Sequence, residues 1–157
     1  MGTIAENKAT VERFWETLYR KDWDALAGFF ADDAEYTDVP TPDDDVAHGP
    51  AAIVARLKLG LDPVEEMIHH PKLAVAEGDA VITEHAEEWR FHTGEVAVVR
   101  FCSVHEFRGD QIIRWWDYPD LDALLNNAPK WWLDHIMAGY EGGPPMDDDS
   151  TDGATTG

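Results

Sequence analysis

The stretch AVITEHAEEWRFHTGEVAVVRFCSVHEFRGDQIIRWWDY, residues 80–118, decides the fold. It holds β-rich runs at 80–91, 95–107 and 111–118, parted by His92-Thr93-Gly94 and Arg108-Gly109-Asp110. Both partings are turn signals, because glycine takes up the positive φ of a tight turn and Asp or Thr satisfies nearby backbone groups. A further run, 67–76, precedes them across Glu77-Gly78-Asp79. Sequential strands with short connections predict an antiparallel meander.

On the N-terminal side, Thr3-Ile4-Ala5-Glu6 fits a capping box, in which Thr and Glu each satisfy a free backbone N–H of the other's residue. Val11, Phe14, Trp15, Leu18 and Tyr19 then recur at helical spacing, predicting an amphipathic helix of about four turns. Asp22 opens a short second helix with Trp23, Leu26, Phe29 and Phe30 inward, which Ala31-Asp32-Asp33 is expected to break. Glu35 to Val39 predicts a short strand, ended by Pro40 and Pro42, and Pro50 starts a helix over AAIVARLKLGL. On the C-terminal side, LDALLNNAPKWWLDHIMAGY predicts a helical segment broken near Pro129. Helices first and strands later give an α+β domain over 1–140, a curved, mostly antiparallel sheet wrapped around N-terminal helices with a deep apolar pocket. Residues 141–157, with five acids and no base, are expected to form a disordered acidic tail.

Composition bounds the function. The chain of 157 residues is 44% hydrophobic and 11% aromatic, which excludes a disordered chain, and its seven tryptophans suit an apolar cavity. Twelve basic against 32 acidic residues, a net charge of −20, repel phosphate backbones and exclude nucleic-acid binding. No run of about 18 apolar residues predicts a membrane span. The N-terminus lacks the charged-then-apolar pattern of a signal peptide, so a cytoplasmic location is expected. The single cysteine, Cys102, excludes an internal disulfide and is expected to be a small core residue.

Against this background the run 80–91 contains a misfit. Alternation puts Val81, Thr83, His85, Glu87, Trp89 and Phe91 on one face, so an otherwise apolar face carries a histidine and a carboxylate. Tyr36 and Asp38 share a face of their strand, and Asp117 shares one with Ile113 and Trp115. If these segments line one cavity, the carboxyls suit general acid–base catalysis. A carboxyl desolvated by Trp89, Trp115 and Phe91 has a raised pKa and donates a proton, while a second carboxylate that keeps a hydrogen-bond partner stays ionised and accepts one from water. His85 is expected between the acids, fixing which one holds the proton. The structural alternatives are a buried His–Glu ion pair, a core tyrosine at 36 and a turn-forming Asp38. His85 and Glu87 supply two metal ligands without an evident third, so no metal is expected; Asp43-Asp44-Asp45 reads as a solvated loop. His69-His70 reads as a rim feature of a strand.

The run ending FFADDAEYTDVP, 29–40, resembles the entry of the NTF2-like, SnoaL-like superfamily. TGEVAVVRFCSVHEFRGDQIIRWWDYPDL, 93–121, looks most like the limonene-1,2-epoxide hydrolase family and also like SnoaL-type polyketide cyclases. Together the similar regions cover most of positions 8–125. The resemblance implies an NTF2-like cone and an Asp–Arg–Asp triad, with a Tyr and an Asn holding the attacking water. By position the base falls on Asp117, the Tyr on Tyr36, the Arg-x-Asp pair on His85 and Glu87, and the Asn on Asp38. The resemblance thus implies a cofactor-independent epoxide hydrolase acting on a small cyclic apolar substrate, and in an aromatic-lined pocket Trp89, Trp115, Phe91 and Phe14 are expected to contact that substrate. His for Arg removes a permanent cation and opens alternatives in the same pocket: an isomerase, dehydratase or cyclase, or a non-catalytic ligand-binding or dimerisation module. Ketosteroid isomerases are similar at Asp38, but their oxyanion-holding Tyr and Asp fall on Phe14 and Ser103, which cannot serve. A homodimer is expected, and the helix with Trp131, Trp132 and Ile136 either covers the pocket or seals that dimer.

Overall fold

The computed structural model describes residues 2–42 and 44–140; the predicted tail over 141–157 lies outside the described residues. The elements are α1 (Ile4–Tyr19), α2 (Trp23–Ala27), β1 (Phe30–Asp38), β2 (Ala47–His48), α3 (Gly49–Leu61), β3 (Glu66–Glu77), β4 (Ala80–Arg90), β5 (Val96–Arg108), β6 (Gln111–Pro119), α4 (Leu121–Asn127) and α5 (Lys130–Tyr140). The strands form one sheet in the order β2-β1-β6-β5-β4-β3. The expected meander is β3 to β6, antiparallel throughout, and β1 joins β6 in parallel, so the sheet is mixed. Gly78 and Gly109, with φ of +57° and +66°, make the tight turns at either end of the β4–β5 pair's neighbours, β3–β4 and β5–β6.

Local chemistry explains the helices. In α1 the Thr3 N–H donates to the Glu6 carboxylate at 2.8 Å and the Glu6 N–H to Thr3 Oγ1 at 3.1 Å, the predicted capping box. Its Val11, Phe14, Trp15 and Leu18 are buried against the sheet, while α3 packs across β1 and β2. The rings of Phe29, Phe30, His105 and Trp115 meet Phe14 at centroid distances of 4.7–5.8 Å. These rings bury large apolar areas, and edge-on contacts match the positive ring edge to the negative face.

Three sequence expectations need correction. Ala31-Asp32-Asp33 does not break a helix: β1 begins at Phe30 and runs through them, and a register irregularity between Phe30 and Glu35 leaves Asp32 and Asp33 exposed at the surface. Ile113 does not share the inner face with Trp115. A bulge between Glu106/Phe107 and their β6 partners turns Ile112 inward instead, an extra residue that reverses the alternation. Cys102 is exposed rather than a core residue, because it alternates with the inward-facing Phe101 and Ser103.

Candidate active site

The inner face of the sheet and the helices α3, α4 and α5 enclose a cavity of about 320 Å³. Its walls carry Tyr36 and Asp38 from β1, Glu87 and Trp89 from β4, and Trp115 and Asp117 from β6. The parallel register places Asp38 opposite Asp117 and Tyr36 opposite Trp115. Period-two alternation then aims all of these side chains inward. Leu57, Leu61, Leu124 and Ile136 supply apolar cover, and Arg56 adds a cation. Trp132 covers the cavity from α5, donating its indole N–H to the Gly60 carbonyl at 2.8 Å and packing edge-on against Trp89. This α5 face therefore covers the pocket.

Glu87 is 4% exposed and both of its oxygens accept: Oε1 from the Tyr19 hydroxyl at 2.8 Å and Oε2 from the Trp89 indole at 2.7 Å. Burial outweighs these bonds and pushes its pKa up to about 7; the charge on Asp38 adds to the rise. Asp117 is equally buried, and its Oδ1 accepts from Ser103 Oγ at 2.6 Å and from the Trp115 indole at 2.8 Å. Tyr36 donates to Oδ2 at a longer 3.4 Å. Burial first, and then the neighbouring Asp38, hold the Asp117 carboxyl well above the ordinary carboxylate range. Asp38 is half-buried, and burial raises it to about 6, against the Tyr36 hydrogen bond and the positive charge of Arg56. The Asp38 charge thus acts on Asp117, so Asp38 ionises first and Asp117 keeps its proton longer.

His85 is not between the acids. Its Nδ1 faces His69 Nε2 at 3.1 Å and its Nε2 faces Ser103 Oγ at 2.8 Å, so neither nitrogen is left for Glu87 or Asp117. The ring stacks on Phe101 and lies 4.5 Å from Trp15 between centroids. Burial and the adjacent His69 press its pKa down to about 3, which keeps it neutral. Phe14 and Phe91, expected to touch substrate, are core residues outside the cavity wall: Phe14 projects from α1 against Trp15 and Trp115, and Phe91 lies past the end of β4 against Trp131 and Trp132.

Several site residues escaped the sequence. Ser103 and His69 complete the surroundings of His85, Tyr19 holds Glu87, and Arg56 faces the cavity. Tyr19 looked like one more apolar position of α1; its signal was a hydroxyl on an otherwise aliphatic and aromatic stripe. His69 was half-signalled: His69 and His70 do face opposite ways on the edge strand β3, but His69 turns inward while His70 meets Glu88 outside. Among the described residues no group of three or more His, Cys, Asp or Glu side chains is arranged to hold a metal ion. Nor is any described helix long and apolar enough to cross a membrane.

The fold and site can be set beside known proteins. An LEH-like epoxide hydrolase from M. tuberculosis superposes with a TM-score of 0.67 at 23% identity, over 86% of this chain and 95% of that one. An NTF2-like protein of unknown function from Burkholderia pseudomallei gives 0.68 at 20% identity, over 77% and 95%. A putative SnoaL-like polyketide cyclase from Jannaschia gives 0.70 at 15% identity, over 82% and 97%. Likeness at these identities establishes a shared NTF2-like fold. No curated protein sequence matches this chain. The sequence profile of the SnoaL-like domain, however, matches residues 11–115, well over half of the 157. By that match this chain belongs to the SnoaL-like domain family.

Proposed function

We propose that the protein is a cofactor-independent acid–base enzyme that opens a small, apolar cyclic epoxide with water. The observation that carries this reading is that Glu87 and the Asp38–Asp117 pair face one apolar cavity, each with a pKa raised by burial. The pair, carrying one negative charge, takes a proton from a water positioned by Tyr36. The water oxygen bonds to an epoxide carbon as the ring C–O bond breaks, and the released oxygen takes the proton of Glu87. A diol leaves, and proton exchange returns the pair to its anion and Glu87 to its acid. Assigning the base role to the pair refines the expectation of Asp117 alone, because Asp38 lies opposite Asp117 on the neighbouring strand and its charge raises the Asp117 carboxyl. The partner required is a small apolar molecule, and a homodimer is compatible with the mechanism without being needed by it.

The test is to incubate the protein with a panel of cyclic epoxides in ¹⁸O-labelled water and follow labelled diol. Since the base must be ionised and the acid protonated, kcat/KM should be bell-shaped, with limbs near the values of about 6 and about 7 set by Asp38 and Glu87. No diol from any member of the panel would overturn the reading. Tyr19→Phe removes a donor that stabilises the Glu87 anion. A hydrogen bond to a charged group is worth ~1.5 kcal/mol, so the alkaline limb should move up by about one pH unit.

A second reading, an isomerase, dehydratase or cyclase in the same pocket, is favoured by one observation: His85 is neutral and turned away, so no imidazolium links the acids. Such an enzyme moves protons without holding water. Exchange of substrate hydrogens with deuterated solvent, with no ¹⁸O gained, would select it.

A further inference from the structure

A line of hydrogen bonds crosses the four strands β3, β4, β5 and β6 with one side chain from each. It runs from His69 to His85 at 3.1 Å, from His85 to Ser103 at 2.8 Å, and from Ser103 to Asp117 at 2.6 Å. Its direction follows from its inner end. The Ser103 hydroxyl donates its one hydrogen to Asp117, so Ser103 Oγ accepts from His85 Nε2–H. His85 Nδ1 is then a lone pair and accepts from His69 Nε2–H. At the outer end the half-buried His69 lines a second cavity, of about 590 Å³, that shares no wall residue with the first.

We propose that His69, His85 and Ser103 form a proton relay that exchanges the Asp117 proton with solvent through the second cavity, resetting the acid–base centre while substrate or product fills the first. Its use in turnover rests on the acid–base role proposed above; the relay itself rests on the geometry. The step balances. A proton arriving at His69 Nδ1 sends the Nε2 hydrogen to His85 Nδ1. The His85 Nε2 hydrogen passes to Ser103 Oγ, and the Ser103 hydrogen passes to Asp117 Oδ1. Asp117 becomes neutral, every relay member keeps its number of hydrogens, and both imidazoles have changed tautomer. The reverse sequence discharges Asp117.

The surroundings favour concerted passage over a resting imidazolium. Burial holds His69 near 4 and His85 near 3, so both are neutral at working pH. His85 is walled by Trp15 from α1 and Phe101 from β5, with the neutral His105 as its other titratable neighbour. Asp117 faces Asp38 and Glu87, which keep its proton affinity high. At the outer end, His69 stacks on Tyr19 at 4.6 Å and neighbours His70, and Lys8, Glu12, Glu16 and Lys72 supply the charged wall of the second cavity.

Nitrogen-15 NMR of labelled histidines reads the tautomers without any need for turnover. His69 and His85 should both be Nε2–H at alkaline pH and change together to Nδ1–H as Asp117 protonates. Asp117→Asn should freeze both as Nε2–H, and Ser103→Ala should uncouple them from Asp117. Tautomers that ignore Asp117, or that change separately, would overturn the relay. Where diol formation is measurable, His69→Gln should lower kcat by about 10²-fold, the low end of a proton-transfer contribution, with KM unchanged and the loss restored by added imidazole. An unaffected kcat would remove the relay from turnover. A protein that shows the coupled tautomers but opens no epoxide would instead sink the hydrolase reading and leave the relay standing.

Discussion

Asp117→Asn is expected to lower kcat for diol formation by about 10²–10⁴-fold, the range over which a positioned acid or base contributes. The substitution is close to isosteric, and the site can accommodate it. The amide oxygen takes the place of Oδ1 and accepts from Ser103 and Trp115, while the amide N–H₂ faces the Tyr36 hydroxyl, which turns to accept. The fold should therefore persist, and circular dichroism with thermal melting would check it. The residual rate carries a second signature. Asp38 owes its raised pKa to burial, set against the Tyr36 hydrogen bond and the charge of Arg56, and it ionises beside a still neutral Asp117. The acid limb of the pH–rate profile should thus stay at about 6 as the maximum falls. Undiminished turnover in a folded Asp117→Asn protein would take Asp117 out of the base role, and an acid limb displaced from about 6 would show that Asp38 is not the group that ionises.

The parts of this site that the sequence revealed share one property: each is visible from its own strand. Glu87 breaks the apolar alternation of β4, Tyr36 and Asp38 sit two apart on β1, and Asp117 follows Trp115 at the same spacing. The turn signals likewise located β3 to β6 to within a residue or two, because glycine at positive φ leaves few alternatives. What the sequence concealed depends on pairing between elements. His85 was aimed correctly at the interior but assigned the wrong neighbours. Which groups meet its two nitrogens is set by His69 and Ser103 on the flanking strands, and one residue of register would change both. Ile113 was displaced by a bulge that only the β5–β6 ladder discloses. Phe91 continues the alternation of β4 on paper, yet the strand ends at Arg90 and the ring turns beneath α5. Arg56 sits in a helix read only for its start, and nothing in its own segment indicates a cavity assembled from β1, β4 and β6.

Glu87→Gln is expected to separate stability from function. Glu87 has a folded pKa of about 7 against an ordinary 4.5, so the folded state binds its proton more tightly than the unfolded chain does. Where the folded state holds more protons, stability falls as pH rises. The loss begins near 4.5, is complete above about 7, and amounts to about 3 kcal/mol for a gap of that size. Gln removes this titration and keeps the contacts: its carbonyl accepts from the Trp89 indole, and its N–H₂ donates to the Tyr19 oxygen once that hydroxyl rotates. Denaturant unfolding at pH 5 should find the two proteins nearly equal. At pH 8 the variant should be the more stable by up to about 3 kcal/mol. Its epoxide turnover should nevertheless fall by about 10²–10⁴-fold, because an amide cannot give a proton to the opening oxygen. A buried carboxyl that costs stability at neutral pH is what a retained acid catalyst requires. If the variant gains no stability between pH 5 and 8, Glu87 is not held as a desolvated acid. If it gains stability and keeps full turnover, another group delivers the proton, and the raised pKa of Glu87 is a packing consequence rather than a catalytic one.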